Sequence, residues 1–156
     1  MSVIVRKGED KDLTQVLALV KELAAFEKAA DEVEVTLSEM NLWGFGKDKL
    51  FDFFVVEKRG EIVGMALYYY KYSTWKGKCL FLEDIIVTEK ERKNGLGKLL
   101  FNEVVQVART QKVRRMEWQV LDWNEPAIEF YKKYNSNFDA AWINCKLTFE
   151  QLKSGG

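Results

Sequence analysis

The 156-residue chain is 47% hydrophobic and 31% charged, and its 24 basic residues balance its 24 acidic ones. Such a length suits one globular domain over residues 1–156, burying about two thirds of the surface that the unfolded chain exposes. The cancelled charge argues against a cationic nucleic-acid binder, the apolar run Ile62 to Tyr70 is too short for a membrane span, and the start MSVIVRKGEDKDL lacks a signal-peptide core.

Histidine is absent, and the two cysteines, Cys79 and Cys145, stand far apart. Histidine-based triads, haem anchors and HExxH zinc sites are thereby excluded, no metal is expected, and a disulfide framework has no basis. Acid–base chemistry must use carboxylates, tyrosines, lysines, thiols, backbone or water. A reducing, cytoplasmic setting is expected.

In chain order, Ser2 to Arg6 predicts a first strand. Asp10 can cap a helix whose apolar positions, Leu13, Val16, Leu17, Val20, Leu23 and Ala24, follow the 3.6 period. A polar segment from Phe26 to Thr36 precedes a second helix around Leu37 to Leu42, closed by Trp43-Gly44-Phe45-Gly46. Phe51 to Glu57 and Glu61 to Tyr70 predict strands joined by a Lys58-Arg59-Gly60 hairpin, and Trp75-Lys76-Gly77-Lys78 turns into a third strand, Cys79 to Val87. A strong helix from near Asn94 carries Leu96, Leu99, Leu100, Val104 and Ala108 on one face. Val113 to Leu121 is expected as a strand, Asn124 as the cap of a helix with Pro126 in its first turn, and Ala141 to Leu147 as the closing strand. The fold class is α/β (α+β): a mixed, largely antiparallel central sheet flanked by helices.

Three segments carry chemistry. Arg92-Lys93-Asn94-Gly95-Leu96-Gly97-Lys98 joins a strand to an amphipathic helix, with glycines that admit close backbone approach and a helix start that favours anions. Lys90 adds charge to the same opening. A phosphate site and a solvated turn with a glycine cap both fit the segment, but its spacing matches neither Walker A nor the dinucleotide fingerprint. Phe81-Leu82-Glu83-Asp84-Ile85-Ile86-Val87 places adjacent carboxylates in an apolar strand. A regular strand sends them to opposite faces, so one is buried for a reason or both reach solvent at a strand end. In Trp123-Asn124-Glu125-Pro126-Ala127-Ile128-Glu129-Phe130-Tyr131, the tyrosine is either core or a catalytic acid, and Asn124 alone reads as a cap.

Together these segments resemble the GNAT superfamily of N-acetyltransferases, and more closely its diamine (spermidine/spermine) and thialysine acetyltransferase branch. RKNGLG at Arg92 to Gly97 matches the superfamily pattern of Arg or Gln, two variable residues, Gly, any residue, then Gly or Ala. KELAAFE, GMALYYY, FLEDIIV and DWNEPAIEFYKK, from Lys21, Gly64, Phe81 and Asp122, point to the branch. The resemblance covers nearly the whole chain. It implies acetyl-CoA as cosubstrate, with backbone at Ile85, Ile86 and Val87 pairing its pantetheine arm and the loop of Arg92, Lys93, Asn94, Gly95, Leu96, Gly97 and Lys98 around its pyrophosphate. Asn124 matches an asparagine near the cofactor, and Tyr131 the tyrosine that protonates the departing thiolate. Glu83 matches a carboxylate acting through water on the acceptor amine, with Asp84 beside it; Glu27 and Trp75 match positions at the polyamine end. This chain departs from the branch in having Lys93 where relatives have glycine, in Tyr134-Asn135-Ser136-Asn137-Phe138 where a glycine is common, and in rearranged acids between Glu27 and Thr36.

The implied reaction is direct transfer to a primary amine of a small cationic acceptor. Its rivals are a cysteine relay through Cys79 or Cys145, a protein or peptide lysine acetyltransferase, and a non-catalytic acetyl-CoA-binding module. A homodimer is expected from the resemblance, with Trp142, Leu147 and Phe149 as apolar surface. Glu27, Asp31, Glu32, Glu34 and Glu39, opposed only by Lys28, give the acceptor end a negative potential.

Overall fold

Arg6 and Asp12 set the entry to the first helix. In the computed structural model, which describes residues 2–154, β1 (Val3–Lys7) leads through a short 3-10 turn, Asp10–Asp12, into α1 (Leu13–Phe26). The buried Asp12 carboxylate accepts from Arg6 Nη1 at 2.8 Å, from Arg6 Nη2 at 3.0 Å and from the Glu9 N–H at 2.8 Å. The N-cap position of α1 therefore falls to Asp12 rather than Asp10, with its carboxylate turned back to Arg6, which repays burial of its charge, and not into the helix. The same guanidinium holds the Asp12 carboxyl below the usual carboxylate range.

The second helix, α2 (Leu37–Phe45), starts at a reciprocal cap in which the Glu39 N–H donates to Thr36 Oγ1 and the Thr36 N–H to Glu39 Oε1. It runs through Gly44 to Gly46, further than its glycines predict. A Cβ at Gly44 would lie 2.7 Å from the Phe51 ring, so packing takes the small residue despite its poor helix propensity.

Next come β2 (Asp52–Lys58), β3 (Glu61–Ser73) and β4 (Gly77–Val87). Arg59 and Gly60 both take positive φ, 54° and 79°, the paired left-handed turn that matches strand twist in a tight hairpin. The sheet order is β1-β2-β3-β4-β5, antiparallel throughout except for β4 with β5 (Met116–Glu117), which the crossover helix α3 (Leu96–Thr110) makes parallel. On one face, Leu13, Val16 and Leu19 of α1 and Met40 of α2 pack on Phe53, Val55, Met65 and Ile86. On the other, α3 buries Leu96, Leu100, Phe101 and Val104. Gly64 makes room there: a Cβ would stand 3.0 Å from the Ile86 carbonyl oxygen and 3.2 Å from Leu100. Burial of each such aliphatic or aromatic side chain is worth about 1.5–3 kcal/mol.

The chain divides into two compact units, Met1–Gln119, just described, and Val120–Gly156. The second holds α4 (Glu125–Lys132) and α5 (Phe149–Ser154). Two expected strands are corrected. Val113 to Leu121 shrinks to Met116–Glu117, and Ala141 to Leu147 forms no strand among the described residues. The latter segment has strand-like alternation, but the described residues of its unit form no strand to pair with, and local preference without a ladder does not make a strand.

Candidate active site

The acidic strand departs from regular alternation at one residue. Tyr68 faces Leu82 across the β3–β4 ladder and Leu67 faces Asp84, so Glu83 is an extra residue on β4, a β-bulge. Phe81, Glu83 and Asp84 consequently share the face that carries Tyr69 and Leu67, and the expectation of opposite faces is corrected. The Tyr69 hydroxyl donates to Glu83 Oε1 at 2.9 Å. Glu83 is exposed and Asp84 half-buried. Burial pushes the Asp84 carboxyl up to about 6, with like charge from Glu83 and then Glu27 adding to it. Glu27, at the C-terminal end of α1, is itself pushed up by burial. Glu27 and Glu83 thus both act on Asp84, and a cation would relieve that electronegative pocket of charge.

Trp75 is not part of it. This residue is 78% exposed in the β3–β4 hairpin, and Glu83 lies roughly 20 Å up the strand from the Gly77 turn, at about 3.3 Å per residue.

β4 pairs with β5 only at Leu80 with Met116 and Phe81 with Glu117. Beyond that, Leu82 to Val87 keep β3 on one side and have no described strand on the other. Ile85, Ile86 and Val87 therefore present backbone groups at an open sheet edge, which suits an extended ligand carrying amides.

The glycine loop follows at once. Lys93 has φ 68° and Gly95 φ 79°, so the position that the branch fills with glycine is left-handed here and occupied by lysine. Gly95 caps α3 and supplies no side chain to its free N–H groups. A Cβ at Gly95 or at Gly97 would meet nothing within 4 Å. Only Gly95 needs its glycine for backbone conformation. The bare space at Gly97, over a 15-residue helix start flanked by Lys93 and Lys98, fits a pyrophosphate. Asn94 donates to the Glu91 carbonyl at 3.3 Å, and Leu96 is buried, so both shape the turn.

Arg92 points the other way. Its Nε donates to the Val87 carbonyl at 2.8 Å, Nη2 lies 3.4 Å from Glu22, and the guanidinium stands 5.4 Å from the centre of the Phe26 ring. Glu22 also accepts from Thr88 Oγ1 at 2.8 Å and from the Glu89 N–H at 3.0 Å. Glu22 was invisible in sequence because it sits among the polar positions of an ordinary amphipathic helix. Tyr69 was hidden in a run of three tyrosines whose faces depend on the bulge.

In the second unit, the Asn124 side chain caps α4 by accepting from the Ala127 N–H at 3.3 Å, with Pro126 in the first turn as expected. Tyr131 is buried on the same helix, its ring edge-on to Phe130 at 5.3 Å. Asn135 takes φ 57°, the left-handed position that a glycine commonly fills in relatives. Among the described residues, no cluster of histidine, cysteine, aspartate or glutamate could hold a metal ion, and no helix is long and apolar enough to cross a membrane.

Residues 17–135 match the family model described as the acetyltransferase (GNAT) family. The chain is 36% identical over 138 residues to the thialysine N-epsilon-acetyltransferase of Bos taurus, covering 83% of this chain and 81% of that one. It is 37% identical over 120 residues to the Caenorhabditis elegans enzyme of the same name, covering 75% and 72%. Among solved structures, an aminoglycoside acetyltransferase from an uncultured soil sample superposes with a TM-score of 0.77 at 16% identity, over 94% of this chain and 96% of that one. The chain belongs to the GNAT family and is an N-acetyltransferase.

Proposed function

We propose that residues 1–156 act as a single domain that transfers the acetyl group of acetyl-CoA directly to a primary amine of a small cationic acceptor, of the polyamine or thialysine kind. The observation that carries this reading is the bulge at Glu83, which puts two carboxylates on one face of β4 within electrostatic reach of Glu27. The names of the relatives agree with a small amine as acceptor. A primary alkylammonium has a pKa near 10.4 and must lose a proton before it attacks. The Glu83–Asp84 pair receives that proton, through water at the exposed Glu83. The amine nitrogen bonds to the acetyl carbon, the carbon–sulfur bond breaks, Tyr131 gives its proton to the sulfur, and the proton that the new amide nitrogen sheds returns the tyrosinate to its phenol through water. A strand N–H near Ile85 polarises the carbonyl.

The gathered acids favour this reading over a bare acetyl-CoA-binding module, which has no use for them. They also favour it over a cysteine relay: Cys79 is buried, and neither Cys79 nor Cys145 has a histidine to activate it. A homodimer belongs to the same proposal, since a second copy offers a way for the exposed Trp75 to meet the acceptor.

CoA release measured against spermidine, spermine, thialysine, free lysine and basic peptides tests the proposal. Turnover with the small amines and little with peptides is expected. Peptide turnover alone would transfer the reading to protein lysines, and no turnover with any amine would end it.

A further inference from the structure

Among the described residues, Glu83 has one hydrogen-bond partner, and it is Tyr69. The bond exists because of the bulge: inserting Glu83 into β4 brings its carboxylate onto the face of the Tyr69–Phe81 pair. The phenol is itself held in place. Its ring lies 5.5 Å from Phe81, tilted by 30°. Lys71 Nζ stands 5.5 Å from the centre of the same Phe81 ring and 3.3 Å from Glu117, which also accepts from Arg115 Nε at 3.0 Å. Side chains of β3, β4 and β5 thus brace one hydroxyl against one carboxylate oxygen.

An exposed glutamate otherwise samples several rotamers, and a loosely held base is a poor one, because proton transfer needs hydrogen-bond reach. Resting on the transfer reaction proposed above, we propose that Tyr69 is a positioning residue: its hydroxyl fixes Oε1 of Glu83 and leaves Oε2 aimed at the acceptor's ammonium. The hydroxyl stays a donor at working pH, since burial first, and then Glu83, push its pKa up to about 12. Asp84, in the same cluster, has no such hydrogen bond among the described residues to fix its orientation.

Tyr69→Phe tests the role, because it keeps the ring on Phe81 and removes only the donor. With spermidine or thialysine as acceptor, kcat should fall roughly tenfold, in line with loss of a hydrogen bond to a charged group. KM for acetyl-CoA should stay unchanged, which also reports that the variant is folded. In a Glu83→Ala background, Tyr69→Phe should change neither quantity. A wild-type kcat in Tyr69→Phe, or an equal effect with Glu83 absent, would overturn the inference while leaving the transfer reaction standing. Wild-type protein inactive with every amine would overturn both.

Discussion

Glu83 and Asp84, adjacent in sequence, stand on the same face of β4, because Asp84 faces Leu67 across the ladder while Glu83 faces no residue at all. One inserted residue thus converts a solvent-and-core pair into a double carboxylate. Such a pair is unfavourable in the empty protein: Asp84 is half-buried, beside Glu83 and within the field of Glu27. The strain is useful, since it is relieved when a cation binds or a proton arrives.

Asp84→Asn should therefore stabilise the protein and impair it. The folded-state pKa of Asp84 is about 6, above its ordinary value of 3.8. The folded state consequently loses stability as pH rises from the ordinary value through 6, and carries the full burden above that. At pH 7–8 the amide should raise stability by on the order of 2–3 kcal/mol, and the gain should fade between pH 6 and 4, where the carboxyl is protonated in the fold. Thermal melts across that range measure it, with loss of kcat/KM for cationic acceptors at pH 7 as the companion result. A destabilised variant at pH 8 would show that Asp84 is held by compensating contacts.

The glycine loop separates conformation from ligand space. Gly95 has φ 79° and Gly97 does not lie in the left-handed region, while neither has anything near its would-be Cβ. Gly95→Ala should lower stability by about 1–2 kcal/mol through left-handed strain. Gly97→Ala, in the first turn of α3, should hold or gain about 0.5–1 kcal/mol, yet weaken acetyl-CoA binding, because its methyl group occupies ligand space. Melting curves and calorimetric titration with CoA read the two effects. Unchanged CoA affinity in Gly97→Ala would remove the pyrophosphate from that position.

Glu22 should matter for the cofactor without touching it. Its carboxylate gathers Thr88, the Glu89 N–H and Arg92, all just before the loop. Glu22→Ala frees those groups and the Arg92 clamp on the Val87 carbonyl. KM for acetyl-CoA should rise roughly threefold to tenfold with kcat nearly constant, the pattern of lost uniform binding. A fall in kcat at unchanged KM would place the effect on chemistry instead.

How far the sequence carried the reading differs from element to element. α1 and α3 were legible because apolar residues recur at the helical period over three or more turns. The Arg59-Gly60 turn and the Asn124 cap were legible because each rests on the chemistry of one or two residues. The shared face of Glu83 and Asp84 was not, since a bulge leaves no mark on local composition; it arises from register against β3. Arg92 belonged to a recognisable motif, but its side chain turns to Glu22 and Phe26, partners fixed by tertiary packing. Ala141 to Leu147 misled for the opposite reason: strand propensity was present and the pairing strand was not.

Tyr131→Phe should lower kcat roughly tenfold to a thousandfold with little change in acetyl-CoA affinity, if the hydroxyl protonates the leaving thiolate. Its place on α4 beside Phe130 leaves the ring packing intact in the variant. Single-turnover kinetics, which isolate the chemical step from product release, give the decisive number. Full activity there would withdraw the acid role.

Glu27 offers the sharpest test of acceptor choice. It sits half-buried at the end of α1, where burial pushes its carboxyl up and its charge in turn raises Asp84. Asp31, Glu32 and Glu34 are exposed, and none of them acts on Asp84. A dicationic acceptor can therefore place one ammonium at Glu83 and another within the field of Glu27. Glu27→Gln should raise KM for dicationic acceptors severalfold, roughly the effect of one partly screened charge pair, and leave KM for acetyl-CoA nearly unchanged. Losing one like charge should also move Asp84 back toward its ordinary value, so the acid limb of kcat/KM should shift to lower pH. Raised salt should shrink the difference between wild type and variant, because screening acts on exposed charge. Steady-state kinetics with a diamine and a neutral amine of equal length, at two salt concentrations, separate the outcomes: a loss confined to the diamine that salt erodes supports selection by charge, and equal losses for both amines would assign Glu27 to the architecture of the α1 terminus.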